Sequence, residues 1–144
     1  MPVLDASAIV AILGDEPGRS AVEDLLHHPV DVVFVSALNI AEVIAVVGRR
    51  IGDADIVERQ VELLLHGGLE IVVVDETVGI RAGVLRARHY DAKTRNLSMG
   101  DCVALATSQL LDEQLVTSDW ILARTAADES IAVIRIPNSA GVVD

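Results

Sequence analysis

The sequence predicts an α/β fold: a three-layer α/β/α sandwich around a central, mostly parallel sheet. Three observations carry that expectation. Short β-rich apolar runs recur at residues 3–4, 32–35, 69–74, 115–116 and 131–136. The stretches between them space their apolar residues three or four apart, as helices do. The strand-like runs are continuous rather than alternating, which suits strands covered on both faces.

Each element follows in order. The first run ends at Asp5, and an apolar stretch at 8–13 succeeds it. Pro29 after His27-His28 marks the stop of an early helix. The helix expected over 39–51 carries Ile40, Val43, Ile44, Val47 and Ile51, one apolar stripe for a sheet to cover. Val57, Val61 and Leu64 repeat the pattern, and Gly67-Gly68 ends it. Asp75, followed by Glu76 and Thr77, reads as an ordinary helix cap. Ser98 to Asp101 and Asn39 to Glu42 each have capping-box spacing. There is no internal repeat, low-complexity tract or linker, so residues 1–144 are expected to form one domain.

With 144 residues, 51% of them hydrophobic, the chain can bury a sizeable core. The longest apolar run is far short of the roughly 20 residues that a membrane span requires, and the N-terminus lacks a basic secretion start. A cytoplasmic protein is expected. Cys102 is the single cysteine, which forbids an intrachain disulfide and reads as a small core residue. A net charge of −11 excludes a polyanion binder held by bulk charge, so any nucleic-acid contact must be local.

Four acids fall at one place in this scheme. Asp5 follows the first strand and Asp119 the fourth, while Glu42 and Asp101 are expected in the first turns of helices that begin near strand C-termini. Open α/β sheets bind ligands at that edge. Taken singly, each acid suits a helix N-terminus through its dipole. Together they repel one another unless a cation or protons relieve them. An all-oxygen donor set suits Mg²⁺ or Mn²⁺ and not zinc.

These residues resemble a known family. Asp5-Ala6-Ser7-Ala8, Glu42 in Asn39-Ile40-Ala41-Glu42-Val43, Gly100-Asp101-Cys102 opening an apolar helix, and Thr117-Ser118-Asp119 look like the acidic signature of PIN-domain ribonucleases. Within them the chain is most similar to VapC-type toxins of bacterial toxin–antitoxin pairs. The resemblance spans essentially the whole chain; Asn96-Leu97 departs from the order expected in many relatives, outside the site. It implies Mg²⁺-dependent endonucleolytic cleavage of RNA, leaving a 5′-phosphate and a 3′-hydroxyl. Asp5 and Asp101 are then the first-choice metal ligands, with Asp119 completing the shell directly or through water. Glu42 would hold a second ion or orient the attacking water. Ser7 and Thr117 are candidates to orient the acids, with a helix start and a plain strand residue as the competing readings.

Arg81, Arg86, Arg88, Lys93 and Arg95 crowd one segment against a single acid, Asp91. They are candidate RNA contacts leading toward Asp101. The competing reading is a solvated helix face with cations at its C-terminal dipole. Phe34 is expected in the core and Trp120 to pack. His27, His28, His66 and His89 lie near helix ends without zinc spacing. The resemblance further implies a small antitoxin whose C-terminal tail covers the cleft, and a homodimer. Two alternatives stay open: a catalytically silent PIN-like binding module and another Mg²⁺-dependent phosphohydrolase. A phosphatase would want a second aspartate where Ser7 stands, and a phosphoacceptor domain a lysine after a late strand.

Overall fold

A computed structural model describes residues 1–28 and 31–143; Pro29 lies outside them. Five strands, β1 (Val3–Leu4), β2 (Val33–Ser36), β3 (Leu69–Val72), β4 (Leu115–Thr117) and β5 (Val133–Arg135), form one sheet of order β3-β2-β1-β4-β5. Every pairing is parallel. The sheet is thus wholly rather than mostly parallel. Seven helices connect it among the described residues: α1 (Ala6–Leu13), α2 (Arg19–Leu26), α3 (Ala37–Ile51), α4 (Ala54–His66), α5 (Glu76–His89), α6 (Met99–Leu111) and α7 (Trp120–Asp128).

Two buried clusters sandwich the sheet. Ile9 and Ile12 of α1, Val22 of α2, Val43 and Val47 of α3, and Val57 and Val61 of α4 pack on Leu4, Val33 and Val35. Val78 and Leu85 of α5, Val103 and Leu105 of α6, and Leu122 of α7 form the other layer with Leu115. Val57, fully buried, is the most enclosed point of the α4 stripe. Cys102 is fully buried among the second set, as a small hydrophobe should be.

The boundaries differ from the sequence reading where hydrogen bonding decides them. β2 runs to Ser36 and β3 stops at Val72, two residues short, because parallel pairing between these strands ends at Ser36 opposite Val72. Helix α3 starts at Ala37, capped by the Ser36 hydroxyl, which accepts from the Asn39 amide. The expected Asn39–Glu42 box is therefore absent, and Glu42 sits in the second turn of α3, not the first. Gly52 closes α3 at φ 81°, a left-handed conformation that a side chain would oppose.

The strand order places a topological switch between β1 and β4. The chain leaves β1 into α1 on one face and leaves β4 into α7 on the other, which opens a crevice at the strands' C-terminal ends. Helix α3 leans across this edge: Leu38 packs with the second cluster, although the rest of the helix belongs to the first.

Candidate active site

Asp5 sits at the switch point and is 3% exposed. Its Oδ1 accepts from the Ala8 amide at 3.1 Å and the Ser7 hydroxyl at 2.6 Å. Its Oδ2 accepts from the Thr117 hydroxyl at 2.6 Å. Burial, partly offset by these bonds, lifts its pKa to about 6, and the charge of Asp101 adds to the rise.

The Thr117 oxygen also accepts from the Asp119 amide at 3.0 Å. One buried hydroxyl thereby ties the ends of β1 and β4 together. Ser7 makes a parallel tie, accepting from the Ser118 amide at 3.0 Å. Asp119 caps α7, its Oδ1 accepting from the Ile121 and Leu122 amides. Asp101 completes a capping box with Ser98, its Oδ2 accepting from the Ser98 amide at 2.8 Å.

Glu42 meets α6 directly. Its carboxylate lies against Gly100 so closely that a Cβ there would overlap both oxygens. Asn39 Nδ2 donates to Glu42 Oε2 and to the Gly100 carbonyl, both at 3.2 Å, while Ser36 donates to Asn39 Oδ1 at 2.6 Å. Ser36, Asn39 and Gly100 thus position Glu42 and α6; the motifs contained Asn39 and Gly100 without giving them this role, and Ser36 lay outside them. The signal available was a serine ending a strand three residues before an asparagine.

Cap and site member are not alternatives here. The caps occupy Oδ2 of Asp101 and Oδ1 of Asp119, and Asn39 holds Oε2 of Glu42; the other oxygen of each takes no hydrogen bond among the described residues. Asp101 raises the pKa of Glu42 after burial itself, and burial followed by Asp119 raises that of Asp101. No cationic side chain is among the causes, and none pairs with these four acids among the described residues. Oxygen donors under mutual repulsion fit a hard divalent cation. Among the described residues, no three His, Cys, Asp or Glu side chains close into a ready cage. Mg²⁺ tolerates this, since it keeps several waters and takes only one or two carboxylates directly.

The basic segment is largely committed elsewhere. Arg81 donates to Gln109, Arg88 to Glu129 at 2.6 Å and Arg95 to Asp128 at 2.7 Å. Arg86 donates to the Leu97 carbonyl and stacks over Tyr90 at 4.2 Å from the ring centre. Lys93 is exposed and pairs with no acid among the described residues. Trp120, expected to pack, is 48% exposed beside Asp119, because it opens α7 at the rim of the crevice. Phe34 is half-buried in β2. His89 bonds Glu129 at 2.6 Å, and His66 holds the Glu62 carbonyl within its own helix.

The family model described as PIN domain matches residues 3–128. No curated protein matches the chain. Among solved structures, VapBC2 from Rickettsia felis bound to a DNA fragment from their promoter aligns at 16% identity and TM-score 0.70, covering 94% of this chain and 98% of that one. Mycobacterium tuberculosis VapC20, described as a sarcin-ricin loop cleaving toxin, aligns at 16% identity and TM-score 0.69, covering 86% and 94%. FitAcB from Neisseria gonorrhoeae aligns at 22% identity and TM-score 0.66, covering 94% and 97%. At these identities the likeness is one of fold.

Proposed function

The chain belongs to the PIN-domain family, and from that premise we propose that it is a metal-dependent endoribonuclease, the toxin of a type II toxin–antitoxin pair. The observation that carries this reading is the set of four acids at the switch point: both oxygens of Asp5 are tied, and Glu42, Asp101 and Asp119 each have one tied and one left open. Structures of like fold include toxin–antitoxin complexes and a toxin named for cleaving the sarcin-ricin loop.

Asp5, Asp101 and Asp119 would hold Mg²⁺, with Mn²⁺ as a substitute. When bound, the ion supplies an acidified water and charge to hold the attacked phosphate. The protein's own contribution is orientation. Ser7 and Thr117 fix the Asp5 carboxylate, and the two caps fix Asp101 and Asp119. Glu42, raised above the usual carboxylate range by burial, has Oε1 open to accept a proton from the attacking water. Water oxygen joins phosphorus as its proton passes to Glu42, the bond to O3′ breaks, O3′ takes a proton from solvent water, and a 5′-phosphate and a 3′-hydroxyl result. Within the basic segment, Lys93 is the side chain offered to RNA, since Arg81 bonds Gln109, Arg86 bonds the Leu97 carbonyl and stacks on Tyr90, and Arg88 and Arg95 answer Glu129 and Asp128.

A small antitoxin would place its C-terminal tail over these acids, and the toxin would act in the cytoplasm as a homodimer. Among the described residues, no helix is long and apolar enough to cross a membrane. The test is cleavage of total RNA by the purified protein with and without EDTA. Cleavage that depends on magnesium and is lost in both Asp5→Asn and Asp101→Asn is expected; cutting by either variant at the parent's rate overturns the mechanism.

A further inference from the structure

A cleft of about 480 Å³ opens from the acidic site along α3. Ser7, Ser118 and Glu42 line it at the site, and Val10 and Val46 line its wall. Arg49 and Arg50, in the last turn of α3, line it farther on. Seven residues of helix separate Glu42 from Arg49, a rise of about 10 Å, and seven residues also return to nearly the same face. The α3 stripe therefore reverses sign along its length, from the Glu42 carboxylate to two guanidiniums, with Glu16 on the opposite side beside Arg50.

These two cations differ from those of α5. Arg49 is exposed and donates its Nε only to the Ala45 carbonyl of its own helix, at 3.2 Å. Arg50 is 63% exposed and makes one long ion pair, at 3.9 Å, with Glu16, which also lines the cleft. In a chain of net charge −11, Arg49, with no acidic partner among the described residues, and Arg50, held only loosely by Glu16, are where an anionic strand gains most.

We infer that this cleft seats the RNA strand leading to the scissile phosphate, with Arg49 and Arg50 gripping backbone phosphates about 10 Å beyond the cut. The inference rests on the nuclease reading for its substrate. The apolar wall between the two ends, Val10 and Val46, gives an unpaired base a surface without sequence readout. Arginine suits the far end because its planar fork matches phosphate oxygens two at a time.

Binding of a labelled oligouridylate to the Asp101→Asn protein in magnesium, followed by fluorescence anisotropy across a salt series, tests this without requiring cleavage. With Arg49→Ala/Arg50→Ala added, affinity is expected to fall about tenfold and the salt slope to shrink by about 1.4, at about 0.7 per contact for single strands. Arg49→Lys/Arg50→Lys is expected to restore most of the affinity, and thermal melts report whether each variant is folded. Binding within twofold of the parent in the folded alanine variant overturns the inference, as does a parent that binds no oligouridylate. An equal loss for an oligoglutamate peptide assigns the arginines to an acidic protein partner and overturns it too. Absence of cleavage by the wild-type enzyme, with arginine-dependent binding intact, sinks the nuclease reading and leaves the RNA cleft standing.

Discussion

The Thr117 hydroxyl donates to Asp5 Oδ2 at 2.6 Å, joining residues 112 apart in sequence inside a fully buried contact. Because the same oxygen accepts from the Asp119 amide, β4 fixes the β1 carboxylate and the start of α7 together. Thr117→Val keeps the shape and removes the hydroxyl. Asp5 then has one oxygen unpaired in a buried place, and the Asp119 amide loses its acceptor. RNA cleavage is expected to fall about 10–100-fold, the usual cost of losing a group that orients a ligand. A titration of activity against magnesium checks it: the loss should be partly recovered at high metal concentration, and a variant as active as the parent at every concentration would show that Thr117 is merely a strand residue.

Gly100 has a different constraint, one of space. A Cβ there would overlap the Glu42 carboxylate, yet what it meets is the far end of a flexible side chain rather than backbone. Gly100→Ala should therefore fold; the helix gains up to about 1 kcal/mol of propensity, offset by the displaced Glu42. Activity is expected to drop at least about tenfold through kcat, since a displaced base is the defect. Paired measurements of Tm and kcat decide it. A large loss of Tm with normal kcat would place the constraint in packing instead.

The strand-and-helix alternation was legible because parallel strands covered on both faces read as continuous apolar runs, and helices as stripes. Asp5, Asp101 and Asp119 were legible because each follows a strand or opens a helix. What the letters did not reveal was three-dimensional economy. Asp101 looked like either a cap or a ligand, yet a carboxylate has two oxygens, and the Ser98 box uses one. Glu42 looked like a first-turn acid because Asn39 mimics a cap, whereas Ser36, a residue at a strand's end, had already taken that position. The basic residues from Arg81 to Arg95 read as one local patch, since sequence proximity cannot show that Asp128 and Glu129, at the end of α7, meet Arg95 and Arg88. Arg49 and Arg50 went unremarked for the converse reason: only the fold sets them along the same cleft as Glu42.

Glu129 bonds Arg88 and His89 through one oxygen and Gln109 through the other. These bonds, His89 first, hold its carboxyl below the usual range. Glu129→Ala is expected to lower stability by about 1–2 kcal/mol, most of it from partners left unmatched. Arg95→Ala, which unpairs the half-exposed Asp128, should cost about 1 kcal/mol or less. Denaturant titrations check both, and a Glu129→Ala chain as stable as the parent would mean that this junction of α5, α6 and α7 contributes nothing to the fold.

Asp5 predicts an inverted pH dependence in the metal-free protein. Burial lifts its pKa from 3.8 to about 6, so between those values the folded chain binds a proton that the unfolded chain has released. Stability from this group is full below the unfolded value and is lost as pH rises through the folded one, by about 3 kcal/mol at most. Glu42 and Asp101, also raised, push the same way. In EDTA, Tm should therefore fall between about pH 4 and pH 7, and magnesium should restore it at the upper end, since binding requires the ionised acids. Asp5→Asn removes the titrating group while its amide oxygen still accepts from Ser7 and Ala8. In EDTA near neutral pH this variant is expected to melt about 3 °C or more above the parent, to lose most of the pH slope and to be inactive on RNA. Scanning calorimetry across pH measures all of it. A variant less stable than the parent at neutral pH would mean that the Asp5 hydrogen bonds outweigh the cost of burying its charge, and that the acids need no cation to coexist.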